Sequence, residues 1–524
     1  MKALTQEKEL KLVLTPEVAG QELELKKAVA NTLQLPFTHI SELRITHKSI
    51  DARSTKPKVN LTIKAYIGGK APKINYNPPH YQSVHNATPV IIVGAGPAGL
   101  FAALHLIENG HKPIIIERGK DVSNRKKDIA RINRNEGMNE NSNYCFGEGG
   151  AGTFSDGKLF SRSKKRGNIQ RIFEIFHHHG AADNILYEAH PHIGSDRLPG
   201  IIRHMRETIL QYGGEIHFDT QLTQLIIEDK QIKGCICQDN KTFKANHLIL
   251  AIGHSAHDTY KTLHKQGVQL ETKGFAMGVR IEHPQLLIDQ IQYHSKKRNP
   301  YLPAASYNLV CQSSERGVYS FCMCPGGHIV PAGSDKHGLV VNGMSASHRN
   351  SPYANSGIVV EIRPEDIPSE FSQHGTLAGL YYQEYVEKLC LKQNQENNVA
   401  APAQRLLDFV QGRKSNTLPS CSYLPGLISS PLHEWLPTHI GKRLQDAFKQ
   451  FDRKMQGYLT NDAVIVGVES RSSSPVRIPR NNDTFEHIEI KGLYPCGEGA
   501  GYAGGITSSA MDGINAAQKI IEKL

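Results

Sequence analysis

The chain has 524 residues, 39% hydrophobic and 21% charged, with 46 glycines, nine cysteines and a net charge of +11. That length calls for two or three domains, and the composition excludes collagen-like, largely disordered and disulfide-stapled chains. The opening MKALTQEKELKLVL lacks a signal-peptide core, no apolar run reaches the length of a membrane span, and the odd cysteine count fits reduced thiols, so a cytoplasmic protein is expected. Lysine and arginine are spread along the chain, so the positive surplus is expected to be a solvated surface, with a polyanionic partner such as RNA as the weaker alternative.

Residues 1–85 predict a small βαββ-like α+β domain, with strands at Lys11 to Thr15, Glu42 to Ile50 and Val59 to Ile67 and a helix at Gln21 to Leu33. Asn77-Pro78-Pro79 makes an extended linker. Residues 86–270 predict the first part of a nucleotide-binding domain. Val90 to Val93 reads as a buried parallel strand, followed by Gly94, Gly96 and Gly99 in G-x-G-x-x-G spacing with Pro97 and Ala98 between them. Gly94 serves the tight turn, Gly96 the approach of a pyrophosphate, and Gly99 close helix–strand packing, while the helix N-terminus offers unpaired amides to the phosphates. Glu117 ends the next strand, where its carboxylate would accept from both ribose hydroxyls and repel a 2′-phosphate. Arg118 follows it, and NADP is disfavoured as the first nucleotide.

The segment Cys145 to Arg162 carries five glycines between Gly147 and Leu159, a density suited to a loop lying against a ring or phosphate. Gly149, Gly150, Gly152 and Ser155 are candidate cofactor contacts, and Asp156 and Lys158 candidate polar groups near the reactive end. A helix is expected from Leu198 to Gln211, then short strands from Glu215 to Ile252. Leu222 lies in the second of these strands, and Gly253 ends the returning strand, where the chain turns near the dinucleotide; both join the cofactor set.

Residues 271–455 carry no nucleotide motif and predict a mixed α+β substrate domain. Cys322 and Cys324 stand two apart on an expected strand, so their thiols share a face. With His328, Lys158 and Arg349 they form the catalytic candidates, as a redox pair or a substrate site, against the commoner outcome of buried inert thiols. The C-x-C spacing lacks the second half of a zinc site, and no metal is expected. Arg349, Arg471 and Arg477 offer guanidinium forks to a carboxylate or phosphate. Residues 456–524 return to strand, glycine loop and helix: Cys496-Gly497-Glu498, then Gly504-Gly505-Ile506 opening a helix that runs to Leu524. The nucleotide-binding domain is therefore expected to be discontinuous. No second strand with G-x-G-x-x-G follows Gly99, so an external donor would bind only transiently.

These motifs resemble a bacterial family of uncharacterised FAD-dependent dehydrogenases, distantly similar to flavoproteins of the glutathione-reductase and hydroxybenzoate-hydroxylase type. The resemblance spans nearly the whole chain, through Lys48 to Arg53, Gly94 to Gly99, Gly150 to Lys158, Met323 to Gly327, Asn342 to Ser345 and Glu469 to Arg477. It implies an α/β fold with a Rossmann-like FAD-binding domain, a β-meander after the first βαβ unit, and non-covalent FAD as cofactor. Glu498 takes the place where such proteins usually carry the acid of Gly-Asp. The helix opened by Gly504-Gly505-Ile506 would point at the pyrimidine edge of the flavin, its dipole stabilising negative charge there. The implied activity is an FAD-dependent oxidoreductase acting on a small molecule, with NADH or NADPH as a transient donor. Two other classes stand beside it: an RNA-associated flavoprotein, suggested by Arg44, Lys48, Arg53, Lys56 and Lys58, and a flavin-containing sensor without turnover.

Overall fold

The computed structural model describes residues 6–69, 71–72, 76–161, 167–394 and 398–524; Arg162, the last residue of the glycine-rich segment, lies outside them. The N-terminal unit is an antiparallel sheet of Gln6–Leu14, Lys58–Ile67 and Ile40–Asp51, with Lys58–Ile67 in the centre. The helix Glu22–Leu33 buries Leu25, Val29 and Ala30 against Val59, Leu61, Ile63 and Ala65, the alternate residues of that central strand. A short helix, Pro16–Gly20, precedes it where the sequence suggested only a connection. The unit is tied to the rest of the chain by backbone bonds from Lys48 N to Tyr187 O and from Ala189 N to Lys48 O, both 2.9 Å.

The nucleotide-binding domain is built on five parallel strands in the spatial order Leu493–Pro495, Leu248–Leu250, Pro89–Val93, Lys112–Ile116 and Glu215–His217. Helices cover it, so Val90 to Val93 are buried on both faces and read as one unbroken apolar run. The strand Leu493–Pro495 comes from the C-terminal segment, which makes the domain discontinuous. An antiparallel meander, Leu222–Glu228, Gln231–Cys237 and Thr242–Lys244, branches from the sheet. The helices Pro97–Glu108 and Ile506–Ile521 pack so closely that a Cβ on Gly513 would lie 2.0 Å from the Ala98 carbonyl oxygen.

The second large core forms around a seven-stranded mixed sheet: Val310–Ser313, Arg316–Cys324, Tyr353–Ile362, Phe275–Pro284, Val464–Glu469, Ala401–Arg405 and Leu427–Ser429. The helix Thr438–Lys454 lays Ile440, Leu444, Ala447, Phe448 and Phe451 onto this core from a single stripe. Val464–Glu469 pairs with Phe275–Pro284, so the second sheet reaches past residue 455, the boundary expected from sequence. An apolar run marks a buried strand but not the sheet that holds it. Among the described residues no helix is long and apolar enough to cross a membrane.

Candidate cofactor and active site

The Gly94 to Gly99 turn sits at the C-terminal ends of the parallel strands, where open α/β sheets bind ligands. Gly94 has φ +105°, and its amide donates to Ile116 O at 2.8 Å. Gly99 lies against it: a Cβ there would be 1.9 Å from the Gly94 carbonyl oxygen, which enforces the close helix–strand packing. Glu117 is 5% exposed and accepts amides from Ala95 (2.8 Å) on Oε2 and from Gly119 (2.9 Å) and Gly147 (3.0 Å) on Oε1. Three of its four acceptor positions are thus used to fasten the glycine turns together, which leaves one, on Oε2, where the sequence suggested two for ribose hydroxyls. The Arg118 fork is closed on Asp258 at 2.9 Å, with Phe146 stacked beneath its guanidinium.

The glycine-rich segment folds over this turn. Gly149 N donates to Ala95 O at 2.8 Å, and a Cβ on Gly150 would lie 3.1 Å from Gly96 Cα. Gly152 packs on Ile506, where a Cβ would come within 2.9 Å of Cγ1, so this one loop touches both the first glycine turn and the start of the last helix. The Ser155 hydroxyl is used within its own turn, donating to Gly152 O and accepting from Gly157 N. A residue the sequence did not single out holds the loop: Arg125, wholly buried, donates to the carbonyls of Asn143, Tyr144, Gly147, Glu148 and Gly150 and to Thr153 Oγ1. Burial lowers its guanidinium to about 10, which leaves it charged at neutral pH.

The C-terminal loop closes the other side. Gly497 N donates to Asp512 Oδ2 at 2.7 Å, and Asp512 is itself gripped by Arg480. Glu498 stands 3.4 Å from His254, which follows Gly253 at the end of the returning strand. Around positions Gly253, Gly504 and Gly505 a Cβ would meet nothing within 4 Å, and Gly504 and Gly505 are exposed. Among the described residues no side chain caps the N-terminus of Ile506–Ile521. Two glycine segments packed on one another beside the start of the last helix, an acceptor left on Glu117 and unobstructed positions at Gly253, Gly504 and Gly505 are residues that fit FAD. Leu222, in contrast, is a core residue of the meander, 7% exposed.

Four of the five catalytic candidates meet. Arg349 clamps Asp156 with bonds of 3.1 and 2.5 Å, and Lys158 lies 3.8 Å from the same carboxylate. Burial alone raises the Asp156 carboxyl, but Lys158 and Arg349 together hold it down at about 2. Lys158 Nζ donates to the carbonyl of Met323, between Cys322 and Cys324, whose sulfurs are 4.0 Å apart. Cys322 (φ +46°) and Arg349 (φ +48°) are both left-handed, a conformation that costs a non-glycine residue roughly 1–3 kcal/mol and collects at functional sites. The thiols approach because the strand is bulged here, not by the regular alternation expected. His328 does not join them: it is exposed, on the strand Gly327–Pro331. The forks of Arg349 and Arg471 are already filled, by Asp156 and by a bidentate pair with Glu387.

Beneath the cluster lies a second hub the sequence left unmarked. Arg280 is fully buried on Phe275–Pro284 and donates to Glu469 Oε2 (2.9 Å), Asn342 Oδ1 (3.1 Å), Asn355 Oδ1 (2.9 Å) and Cys322 O (2.6 Å). Through Asn342, Glu469 and, at 3.5 Å, Cys324 Sγ it joins three of the motifs noted above. The one signal for it is an arginine directly after the apolar run FAMGV. In the N-terminal unit Arg44 pairs with Glu42 and Arg53 with Asp51, which neutralises part of its basic face.

Comparison with known proteins places these parts. Residues 87–139 match the model of an FAD binding domain, residues 274–472 that of an FAD-dependent protein, C-terminal domain-like, and residues 6–66 a domain of unknown function. An uncharacterized protein of Clostridium beijerinckii is 40% identical over 519 residues, 95% of this chain and 96% of its own. Thiamine thiazole synthase of Aeropyrum pernix is 25% identical over 205 residues, 36% of this chain and 63% of its own. A geranylgeranyl bacteriochlorophyll reductase-like protein of Thermoplasma acidophilum covers 83% of this chain and 79% of its own at 13% identity, and its TM-score of 0.33 is too low to bear on function. The chain belongs to one family with the Clostridium beijerinckii protein, and it is an FAD-dependent oxidoreductase.

Proposed function

We propose that the chain holds FAD non-covalently between the Gly94 turn, the Gly147 to Gly152 loop and the Gly504-Gly505 helix start, and oxidises or reduces a small molecule on the face lined by Lys158, Asp156, Arg349 and Cys322. The observation that supports this reading is the single loop that packs on both Gly96 and Ile506, which joins the diphosphate-type turn to the start of the last helix. Bound FAD supplies two-electron redox chemistry there.

The chain's own residues do the rest. Ile506–Ile521 directs the positive end of its dipole toward developing negative charge. Lys158 keeps its proton: burial opposes its charge, but the cysteine pair and Asp156 raise it above the usual amine range. It acts as a fixed positive charge for an anionic substrate group rather than as a base. Asp156 and Arg349 orient it, and Arg280 with Glu469 anchors the floor. With one dinucleotide motif in the sequence, NADH or NADPH acts as a passing donor.

Purified protein should carry a flavin absorbance band and release FAD on denaturation. Anaerobic mixing with NADH, NADPH and a panel of hydroxy and amino acids should bleach that band with one donor class, and air or an added acceptor should restore it. Colourless protein that does not take up FAD would remove this reading. A band that bleaches but never recovers with any acceptor would favour a sensor over an enzyme.

A further inference from the structure

Cys322 and Cys324 approach each other more closely than C-x-C spacing on an extended strand dictates. Residues two apart on an extended strand stand about 6.6 Å apart, close to the limit of about 6.8 Å across which a disulfide forms. Here the left-handed Cys322 and the register slip between Phe321 and Cys324 fold the chain back, and the sulfurs come to 4.0 Å. Cys322 is half-buried and Cys324 is fully buried, so one sulfur is reachable and the other waits behind it. Two cations flank them: Lys158 on the Met323 carbonyl, and Arg280, whose Nη2 reaches Cys324 Sγ at 3.5 Å. The hydrogen bond from Cys324, with Lys158 and Arg280, holds the Cys322 thiol well below the usual range. Thiolate character of this kind marks reactive rather than structural cysteines.

The pair is also connected to the cofactor side of the cleft. Lys158 precedes Leu159, whose carbonyl accepts from Thr507 Oγ1 at 2.7 Å, in the first turn of the helix opened by Gly504-Gly505.

We propose that Cys322 and Cys324 are a redox pair that cycles between two thiols and an intramolecular disulfide, exchanging two electrons with FAD. Oxidation of the Cys322 thiolate and the Cys324 thiol breaks the one S–H bond and forms the Sγ–Sγ bond, and the two electrons and one proton pass to oxidised FAD, which becomes its singly protonated two-electron-reduced form. The reverse step reduces the disulfide. This rests on FAD occupying the cleft as described above.

The chain contains its own control. Cys235 and Cys237 have the same C-x-C spacing on Gln231–Cys237 and also lie thiol to thiol, with Lys241 beside Cys237, but both are buried, at 0% and 1% exposure, and neither is left-handed, so what sets Cys322 apart is its accessibility and its fold-back. Trypsin releases the two pairs separately, as Gly317–Lys336 and Gly234–Lys241, each holding no other cysteine. Holoprotein is equilibrated without oxygen at graded ratios of reduced to oxidised dithiothreitol, quenched in acid, denatured, alkylated with iodoacetamide and mapped by mass. Gly317–Lys336 should pass from doubly alkylated to unalkylated with loss of two hydrogens as the poise rises, while Gly234–Lys241 stays doubly alkylated. In an anaerobic dithionite titration the oxidised wild type should take about twice as many electrons per FAD as Cys322→Ser.

Alkylation of both Gly317–Lys336 cysteines at every poise overturns the proposal, and so does oxidation of the two pairs in parallel or equal electron uptake by wild type and variant. The peptide map uses wild-type protein and stands even where the variant does not fold. Protein that keeps FAD but never forms the disulfide sinks the pair and leaves the cofactor reading in place. Protein that forms the disulfide but binds no FAD sinks the cofactor reading and, with it, the electron partner.

Discussion

Replacing Arg125 by Met removes the side chain that holds the glycine-rich loop while keeping a long apolar stem. Of its five carbonyl partners, Gly147, Glu148 and Gly150 have other donors: Gly150 N, Thr153 Oγ1 and Thr153 N respectively. The carbonyls of Asn143 and Tyr144 have no other donor among the described residues, and those residues are 0% and 6% exposed, so water does not substitute. Each orphaned buried carbonyl costs roughly 1–3 kcal/mol, and relief of the guanidinium's own desolvation offsets part of that. A net loss of about 3 kcal/mol is expected, a large share of the roughly 5–15 kcal/mol that folded domains possess. Because Gly149 and Gly150 lie on the Gly96 turn, the loss falls on the cofactor cleft. If it is expressed wholly as loop disorder, FAD affinity falls about 100-fold, at 1.4 kcal/mol per factor of ten. FAD titration by flavin fluorescence, with thermal melts of the FAD-free protein, checks both parts. Unchanged FAD affinity together with an unchanged melting temperature refutes the role given to Arg125.

Gly99→Ala places a methyl 1.9 Å from the Gly94 oxygen and 3.2 Å from Ile92; the overpacking costs about 1–3 kcal/mol and should lower flavin content per protein, read from the ratio of visible to ultraviolet absorbance. Asp156 titrates at about 2 in the fold against 3.8 unfolded, so its stabilisation, about 2 kcal/mol, is complete above pH 4 and is lost as pH falls through 2. In Asp156→Asn that acid-limb loss disappears, while the melting temperature at pH 7 drops because Arg349 and Lys158 lose their counter-charge; an identical acid limb in the variant contradicts the assignment. Glu282 has the opposite sign: burial raises it to about 7, above the 4.5 of the free side chain, even with its bonds from Ser422. The fold holds that proton more tightly than the unfolded chain does, so stability falls by up to about 3 kcal/mol as pH rises from 4.5 to 7. Glu282→Gln should flatten the melting temperature over that window and exceed wild type at pH 8; a variant that follows the wild-type curve argues against a protonated Glu282.

The elements whose identity rests on neighbours in sequence were legible without coordinates. Val90 to Gly99, the acid at Glu117, the helix Leu198–Gln211 and the small-residue opening at Gly504-Gly505 each follow from local spacing, because backbone conformation, helix periodicity and turn chemistry are decided within a few residues. Fold class and FAD follow from those segments taken together. What escaped the sequence are the pairings between distant segments: Val464–Glu469 lying in the second sheet, Arg125 stapling residues 143–153, and Arg280 drawing Asn342, Asn355 and Glu469 onto the floor under Cys322. A lone arginine in a helix or strand looks the same whether it faces water or a buried carbonyl, and only burial decides which. The tertiary fold alone also turned a C-x-C into two sulfurs 4.0 Å apart beside Lys158, since the bulge that brings them together depends on the partner strand Tyr353–Ile362 and not on the residues between them.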